Sequence, residues 1–261
     1  MKLAILFWFY KEPEICINRL QIIRKHNPNI KIFAFYGGDI KQSTKYKKAL
    51  SQYLDDFYIS FKITKPKAWK WINGDLMILD WYDKRGKNLT SWDSVVVVQW
   101  DMLVLGNVIK QFPKIKKNEI FISGTRVLDT NIERRWHWTK FGGKKRNNYL
   151  AFKKYIANHY NYNKKLLCSL FILEVFPRIF FEKWLTVRNK EIGMLEYKIP
   201  TLASIFKIPF YKRNFGVLWY SGDTKTTPLN AQEIPIEKSY IDSQLSRKNG
   251  FRIFHPYFKK W

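Results

Sequence analysis

The sequence predicts an α/β fold: one domain built on a mostly parallel central sheet flanked by helices. Three observations predict it. Strand-like runs alternate with helix-like ones through the first half, as βαβ units require. Val95-Val96-Val97-Val98 is a run of β-branched residues suited to burial on both faces, as in a central parallel strand. A chain of 261 residues, 46% apolar and 18% aromatic, can pack one large core without needing a second domain.

The elements follow in order. Leu3 to Phe9 reads as a first strand. Pro13 and Glu14 open a helix running through Lys25, since proline suits a first turn and glutamate favours the positive end of the helix dipole. Asn27-Pro28-Asn29 ends it. Ile30 to Tyr36 is a second strand, and Gly37-Gly38-Asp39 follows where flexible backbone can approach a ligand closely. A Lys-rich helix over Ser43 to Leu54 leads to a short strand at Phe57 to Phe61, and one helix is expected over Lys67 to Lys84, ended by Gly86. Val95 to Gln99 is the central strand, and Glu119 to Gly124 another with glycine at its end.

The second half is less regular. Asp129 to Arg146 is polar, basic and aromatic, and reads as a loop facing the active site or acceptor. Helices are expected over Asn148 to His159 and Phe176 to Arg188, with another beginning in Pro200 to Phe206. Tyr220 to Glu237 reads as irregular, ahead of a strand at Gly250 to His255. No internal repeat or low-complexity linker divides the chain. The chain divides for description into 1–105 and 106–261, which on the resemblance drawn below would be a nucleotide-binding half and an acceptor-side half.

The formal net charge is +26, which favours an anionic partner: nucleic acid, an acidic membrane surface or a phosphorylated substrate. Between Lys110 and Lys165, fifteen Lys and Arg stand against Glu119, Asp129 and Glu133. Cys16 and Cys168 lie in apolar contexts without metal-site spacing, so a reducing cytoplasm is the expected home. The apolar start has no small-residue cleavage site and runs into Lys-Glu-Pro-Glu, and Glu174, Pro177 and Arg178 interrupt the run from Leu166 to Phe181. Any membrane contact is therefore expected to be peripheral.

Asp101 closes the central strand, and ligands in open α/β sheets bind beyond the carboxyl ends of the strands. His255 ends an apolar run near the carboxyl terminus, and Glu196 precedes the helix-start pattern Ile199-Pro200-Thr201. Each also has a structural account: aspartate caps turns, histidine among aromatics packs, and glutamate suits a helix start. Glu174, set in Phe171-Ile172-Leu173 and Val175-Phe176, is the competing carboxylate, since burial would raise its pKa.

That ordered set resembles the GT-A class of nucleotide-sugar glycosyltransferases. Carried over by position, Gln99-Trp100-Asp101 stands for the metal-binding DxD motif, Ser123-Gly124-Thr125 for the glycine segment, Leu195-Glu196-Tyr197 for the base motif and His255 for the late metal-binding histidine. Phe-Trp-Phe-Tyr-Lys near the start, Asn73-Gly74-Asp75 and Glu196-Tyr-Lys-Ile-Pro-Thr also look like bacterial glycosyltransferase-like proteins. The chain departs from the class at Gln99, where the first aspartate would stand, and at Tyr197.

The resemblance implies a GT-A-like, Rossmann-like fold and transfer of a sugar from a nucleotide-diphosphate donor to a glycan or lipid-linked acceptor. It implies Mn²⁺ or Mg²⁺ on Asp101 and His255, neutralising the leaving diphosphate. Inverting transfer needs a carboxylate base, for which Glu196 is the candidate and Glu174 the alternative. Phe9, Tyr10, Gly37, Gly38, Asp39, Asp75, Gln99, Trp100 and Gly124 are the candidate donor-binding positions. Two other readings remain open: a nucleic-acid- or polyanion-binding protein, without a helix-turn-helix, zinc or RNP-type motif, and an interaction protein on a degenerate glycosyltransferase fold.

Overall fold

The computed structural model describes residues 1–219 and 222–261. In the first half the chain forms β1 (Leu3–Phe9), α1 (Pro13–His26), β2 (Lys31–Tyr36), α2 (Ser43–Leu50), β3 (Asp56–Ile59), α3 (Lys67–Ile72), α4 (Gly74–Lys84), β4 (Ser94–Gln99) and β5 (Leu103–Val104). It continues through α5 (Val108–Gln111), β6 (Phe121–Ile122), β7 (Arg126–Val127), α6 (Thr130–Arg135), α7 (Arg146–Tyr160), β8 (Leu167–Cys168) and β9 (Glu174–Pro177). The last elements are α8 (Arg178–Leu185), α9 (Leu195–Ile205), α10 (Lys238–Ser246) and β10 (Ile253–Phe254).

Six strands form the central sheet in the order β3-β2-β1-β4-β9-β6. The first four are parallel, with Ala4 opposite both Lys31 of β2 and Val95 of β4. β9 runs against both β4 and β6, so the sheet is mostly parallel, as the sequence predicts, with one reversed strand inside it. Side chains alternate across a strand, and this sheet uses both faces. Ala4, Leu6, Val95 and Val97 pack on the side of α4, α8 and α9, while Leu3, Ile5, Phe7, Val96 and Val98 pack on the side of α1 and α2. The valine run is apolar throughout because each alternate residue serves a different core. A third cluster ties α10 and β10 to β5 through Leu103, Ile241 and Phe254.

Three expectations require correction. The helix expected over Lys67 to Lys84 breaks at Asn73, whose backbone leaves the helical region at φ −122°. The Asn73 side chain bonds the Trp69 carbonyl at 3.2 Å, the local competition that makes asparagine end helices. The stretch expected as a helix from Phe176 is strand first: Val175 and Phe176 pair with β4, and the helix starts only after Pro177. The expected loop of Asp129 to Arg146 contains α6, capped by Asp129 accepting from the Ile132 N–H at 2.9 Å.

Other differences lie at boundaries: β6 keeps only two residues of the strand expected over Glu119 to Gly124, and α9 starts at Leu195, so Glu196 lies inside its first turn. α10 was not expected. Within the span read as irregular, Tyr220 and Ser221 lie outside the described residues, and 222–237 contains a single turn of 3₁₀ helix at Thr224–Thr226. Cys16 and Cys168 are both buried and free. Among the described residues no helix is long and apolar enough to cross a membrane.

Candidate active site

The carboxyl ends of β1, β2, β4 and β6 open on one edge of the sheet, and the start of the reversed β9 returns to it. Two clusters of titratable side chains occupy that edge, one on each side of the end of β4.

Asp101 and His255 form the first. β4 ends as the Trp100 N–H bonds the Trp8 carbonyl at 2.9 Å and the Met102 N–H turns back to Gln99 at 3.0 Å. Asp101 sits in that turn. The strand pair β5–β10 brings His255 alongside, and the Tyr257 N–H closes onto the Asp101 carbonyl at 2.8 Å. His255 Nε2 stands 3.5 Å from Asp101 Oδ1.

The other ring nitrogen, Nδ1, faces the Asn230 carbonyl at 2.9 Å. A carbonyl only accepts, so Nδ1 carries the proton and Nε2 either donates as imidazolium or presents a lone pair. Burial works against the charged imidazole, but the nearby Asp101 charge, with the Asn230 carbonyl, outweighs it and raises the His255 pKa.

Asp101 Oδ1 is buried without a well-formed hydrogen bond. A buried orphan carboxylate oxygen facing an imidazole nitrogen suits a cation, and 3.5 Å is close to the span of two ligands each about 2.1 Å from one ion. Among the described residues no group of three or more His, Cys, Asp or Glu could hold a metal ion. The pair therefore fits an ion completed by oxygens of a bound ligand, with the Asn230 carbonyl orienting the ring behind it.

Asp101 also acts at a distance on a residue that sequence reasoning missed. Arg19, on α1, is fully buried, and its guanidinium bonds the carbonyls of Tyr257 at 2.6 Å and Lys259 at 2.8 Å. Burial pushes it down to about 10, and the Asp101 charge is the largest influence opposing that fall.

The second cluster centres on Glu196. Pro200 lies inside α9, so the helix lacks the N–H that would bond the Glu196 carbonyl four residues back. Ser169 takes that carbonyl instead, through its N–H at 2.8 Å and its hydroxyl at 3.1 Å. Thr201 continues the attachment, accepting from the Leu167 N–H at 3.1 Å and donating to the Leu167 carbonyl at 3.2 Å. The phrase Glu196-Tyr-Lys-Ile-Pro-Thr is thus a docking device that fastens segment 167–171 against α9.

The same segment returns a hydrogen bond to the side chain: the Phe171 N–H donates to Glu196 Oε1 at 3.2 Å, and the nearby Trp138 indole also favours the ionised form. Burial nonetheless raises the Glu196 carboxyl to about 7. Glu174, the first residue of β9, lies opposite Val97 and Ile122 and is wholly buried. Neither of its oxygens has a hydrogen-bond partner among the described residues. Burial, reinforced by the Glu196 charge, raises its pKa well above the ordinary value. Glu174 is therefore an enclosed carboxyl whose burial favours the protonated form, without the exposure that a general base needs.

Gln99 joins the two clusters. Its Nε2 donates to the Phe171 carbonyl at 3.3 Å, so Gln99 and Glu196 grip the two ends of one residue. An aspartate there would be shorter and, when ionised, could not donate.

The candidate donor-binding positions divide. Phe9 is fully buried among Phe7, Tyr36, Tyr46 and Phe57, and Trp100 is 2% exposed and stacked on Phe258. Both are core. Asp75 is fully buried too, in an ion pair of 2.7 Å with Lys198 of α9, itself 1% exposed and also bonded to the Lys190 carbonyl. Burial pushes the Asp75 carboxyl up and the Lys198 ammonium opposes it. Sequence placed Asp75 toward the crevice; in the structure it bolts the start of α4 to α9.

Tyr10 stays 40% exposed, edge-on to Trp100, with the Lys11 ammonium over both rings. Gly37 is packed so that a Cβ would lie 2.6 Å from Met77 Cε, and Asp39 caps a short turn by accepting from the Lys41 N–H. Gly124 adopts φ +66°, and its carbonyl accepts from the Trp219 indole at 2.9 Å. A cleft of about 690 Å³ opens beside it, lined by neither Asp101 nor His255.

No family model matches the chain, and no curated protein matches it. Among solved structures it is similar to the apo form of WbbM, a bifunctional glycosyltransferase, at 12% identity and a TM-score of 0.48, over 98% of this chain. The chain spans 46% of the length of that structure. It is also similar to a cytidylyltransferase from Leptospira borgpetersenii serovar Hardjo-bovis, at 10% identity and a TM-score of 0.44, over 82% of this chain and 76% of the other. Likeness at this level leaves function to be argued from the side chains.

Proposed function

We propose that the chain is an inverting glycosyltransferase that moves a sugar from a nucleotide-diphosphate donor to a glycan or lipid-linked acceptor. The observation that carries the reading is Glu196, a part-buried carboxyl raised to about 7 beside the edge where the parallel strands end. A general base is most effective when its pKa lies near the working pH. The acceptor oxygen bonds the anomeric carbon as the bond to the diphosphate breaks, the hydroxyl proton passes to Glu196, and the electron pair leaves with the diphosphate.

Asp101 and His255 would hold a divalent ion, Mn²⁺ in preference to Mg²⁺ because one donor is an imidazole. When bound, that ion would offset the charge of the leaving diphosphate. Tyr10, with Lys11 beside it, offers the exposed aromatic surface for the base.

A peripheral position on an anionic membrane is supported by exposed Phe61, Trp71 and Phe141. Lys62 and Lys65 lie over the neighbouring Trp69 ring, Lys145 over Trp138 and Arg146 over Phe141. Trp71 packs against Trp138, which is near enough to influence the Glu196 carboxyl, so a surface bound there would lie close to the proposed base. Each Lys or Arg near an anionic surface contributes about 1 kcal/mol.

Thermal shift with nucleotide-sugar donors, with and without Mn²⁺, tests the reading. A donor should stabilise the protein, Mn²⁺ should increase the effect, and Asp101→Asn should remove the increase. A degenerate-fold interaction protein is favoured by one observation, the electrostatic influence of Asp101 on buried Arg19. If no donor stabilises the protein under either condition, that second reading replaces the first.

A further inference from the structure

The cleft beside Gly124 takes part in none of the chemistry assigned to Asp101, His255 or Glu196. Its walls carry Arg126, Lys212 and Arg213, and among the described residues no aspartate or glutamate lines it. Lys212 and Arg213 are exposed, and among the described residues neither is paired with a carboxylate. Two exposed, adjacent cations without a carboxylate partner on one wall repel each other, an arrangement that a bound anion relieves, and arginine can grip a carboxylate or phosphate through two parallel bonds.

The same walls carry aromatic side chains, among them Tyr211, Phe215 and Trp219. Arg126 lies 5.2 Å above the Trp219 ring and Arg213 5.2 Å above Phe215, which places cation and ring face together. Sites that combine apolar ring faces with a few convergent polar groups bind small organic ligands. An apolar ring face with a neighbouring cation matches a pyranose ring bearing an anionic substituent.

Packed residues connect the cleft to the segment that carries the proposed base. Trp219 packs edge-on against Trp136 at 5.9 Å, and Trp136 against Tyr197, the residue after Glu196, at 6.3 Å. From the other side, Arg126 pairs in register with Cys168, whose neighbour Ser169 bonds the Glu196 carbonyl.

We propose that this cleft binds the acceptor, and that the acceptor is an anionic carbohydrate carrying a phosphate or carboxylate. The inference rests on the transferase reading for the word acceptor; the binding of an anionic sugar stands independently of it.

Calorimetric titration with glucose 1-phosphate, glucuronic acid and glucose tests it, on the wild type and on the triple variant Arg126→Gln, Lys212→Gln, Arg213→Gln. At least one anionic sugar should bind about tenfold or more tighter than glucose, and the triple variant should lose about tenfold or more of that affinity. Preference for glucose 1-phosphate would assign a phosphate-bearing acceptor, and preference for glucuronic acid an acidic glycan. The pair Lys212→Glu, Arg213→Glu, at two exposed positions, gives the same readout if the triple variant melts early.

Equal affinity for glucose, or undiminished affinity in both variants, overturns the proposal. Donor stabilisation measured alongside separates it from the transferase reading. Donor stabilisation without anionic-sugar binding overturns the cleft alone; anionic-sugar binding lost in the variants, in a protein no donor stabilises, keeps the cleft and removes the transferase. Loss of donor stabilisation in the triple variant reassigns the cleft to the donor and overturns the acceptor assignment.

Discussion

Glu196→Gln should make the protein more stable at alkaline pH while removing transfer, a combination that a purely structural glutamate would not give. The folded carboxyl titrates near 7 against an ordinary 4.5, so it holds its proton more tightly in the folded state. Below about pH 4.5 both states are protonated and the carboxyl costs nothing by ionising. As pH rises from 4.5 to 7 the unfolded chain ionises first, and stability falls until the folded carboxyl ionises too.

At about 1.4 kcal/mol for each pH unit of that window, the loss is about 3 kcal/mol. Glutamine keeps a carbonyl oxygen for the Phe171 N–H and cannot ionise, so it escapes this loss. For a domain of this size, about 3 kcal/mol corresponds to roughly 6 °C in melting temperature. Guanidinium unfolding at about pH 4 and pH 8 measures the difference, and turnover at saturating donor should fall by about 10²–10⁴-fold. A variant whose stability relative to wild type is the same at both pH values would refute the raised carboxyl. Unchanged turnover would remove Glu196 as the base.

Lys198→Met leaves the Asp75 carboxylate buried without its partner and should cost about 3–5 kcal/mol; adding Asp75→Leu should recover much of it in denaturant midpoints. Gln99→Asp, which restores the first aspartate of the DxD pattern, should destabilise the protein by about 1–3 kcal/mol through the abandoned Phe171 carbonyl. It should not tighten Mn²⁺ binding in a titration. The raised pKa of His255 means that its imidazolium contributes stability that is complete below the ordinary 6.5 and is lost as pH rises through the folded value. Since a metal takes the neutral ring, apparent Mn²⁺ affinity should rise over that window, and His255→Ala should flatten the rise.

The sequence carried the parallel sheet because period and burial agree there: four valines buried on both faces admit little but a central strand. β9 was missed because Val175 and Phe176 stand beside the helical run Arg178–Leu185, and a short apolar stretch reads equally as either element. The order Asp101, Glu196, His255 pointed to one edge of the sheet, but order along a chain says nothing about which side of a strand end each residue reaches. The roles of Phe9, Trp100 and Asp75 failed for one reason. Aromatic and acidic residues at strand ends look alike whether they face solvent or core, and only packing decides. Pro200 was the available signal for the Glu196 attachment, because proline four residues after a glutamate within a helix frees that carbonyl for a partner elsewhere.

Gln99 then links the two clusters on opposite sides of β4. Its backbone begins the turn that presents Asp101 to His255, and its amide holds the Phe171 carbonyl while Glu196 accepts from the Phe171 N–H. Any shift of segment 167–171 would move the support of the proposed base and the start of β9 together, since Glu174 enters the sheet three residues later. The glutamine that departs from the DxD pattern is therefore a positioning residue. It replaces one carboxylate with a donor that fixes the spacing between the proposed metal pair and the proposed base.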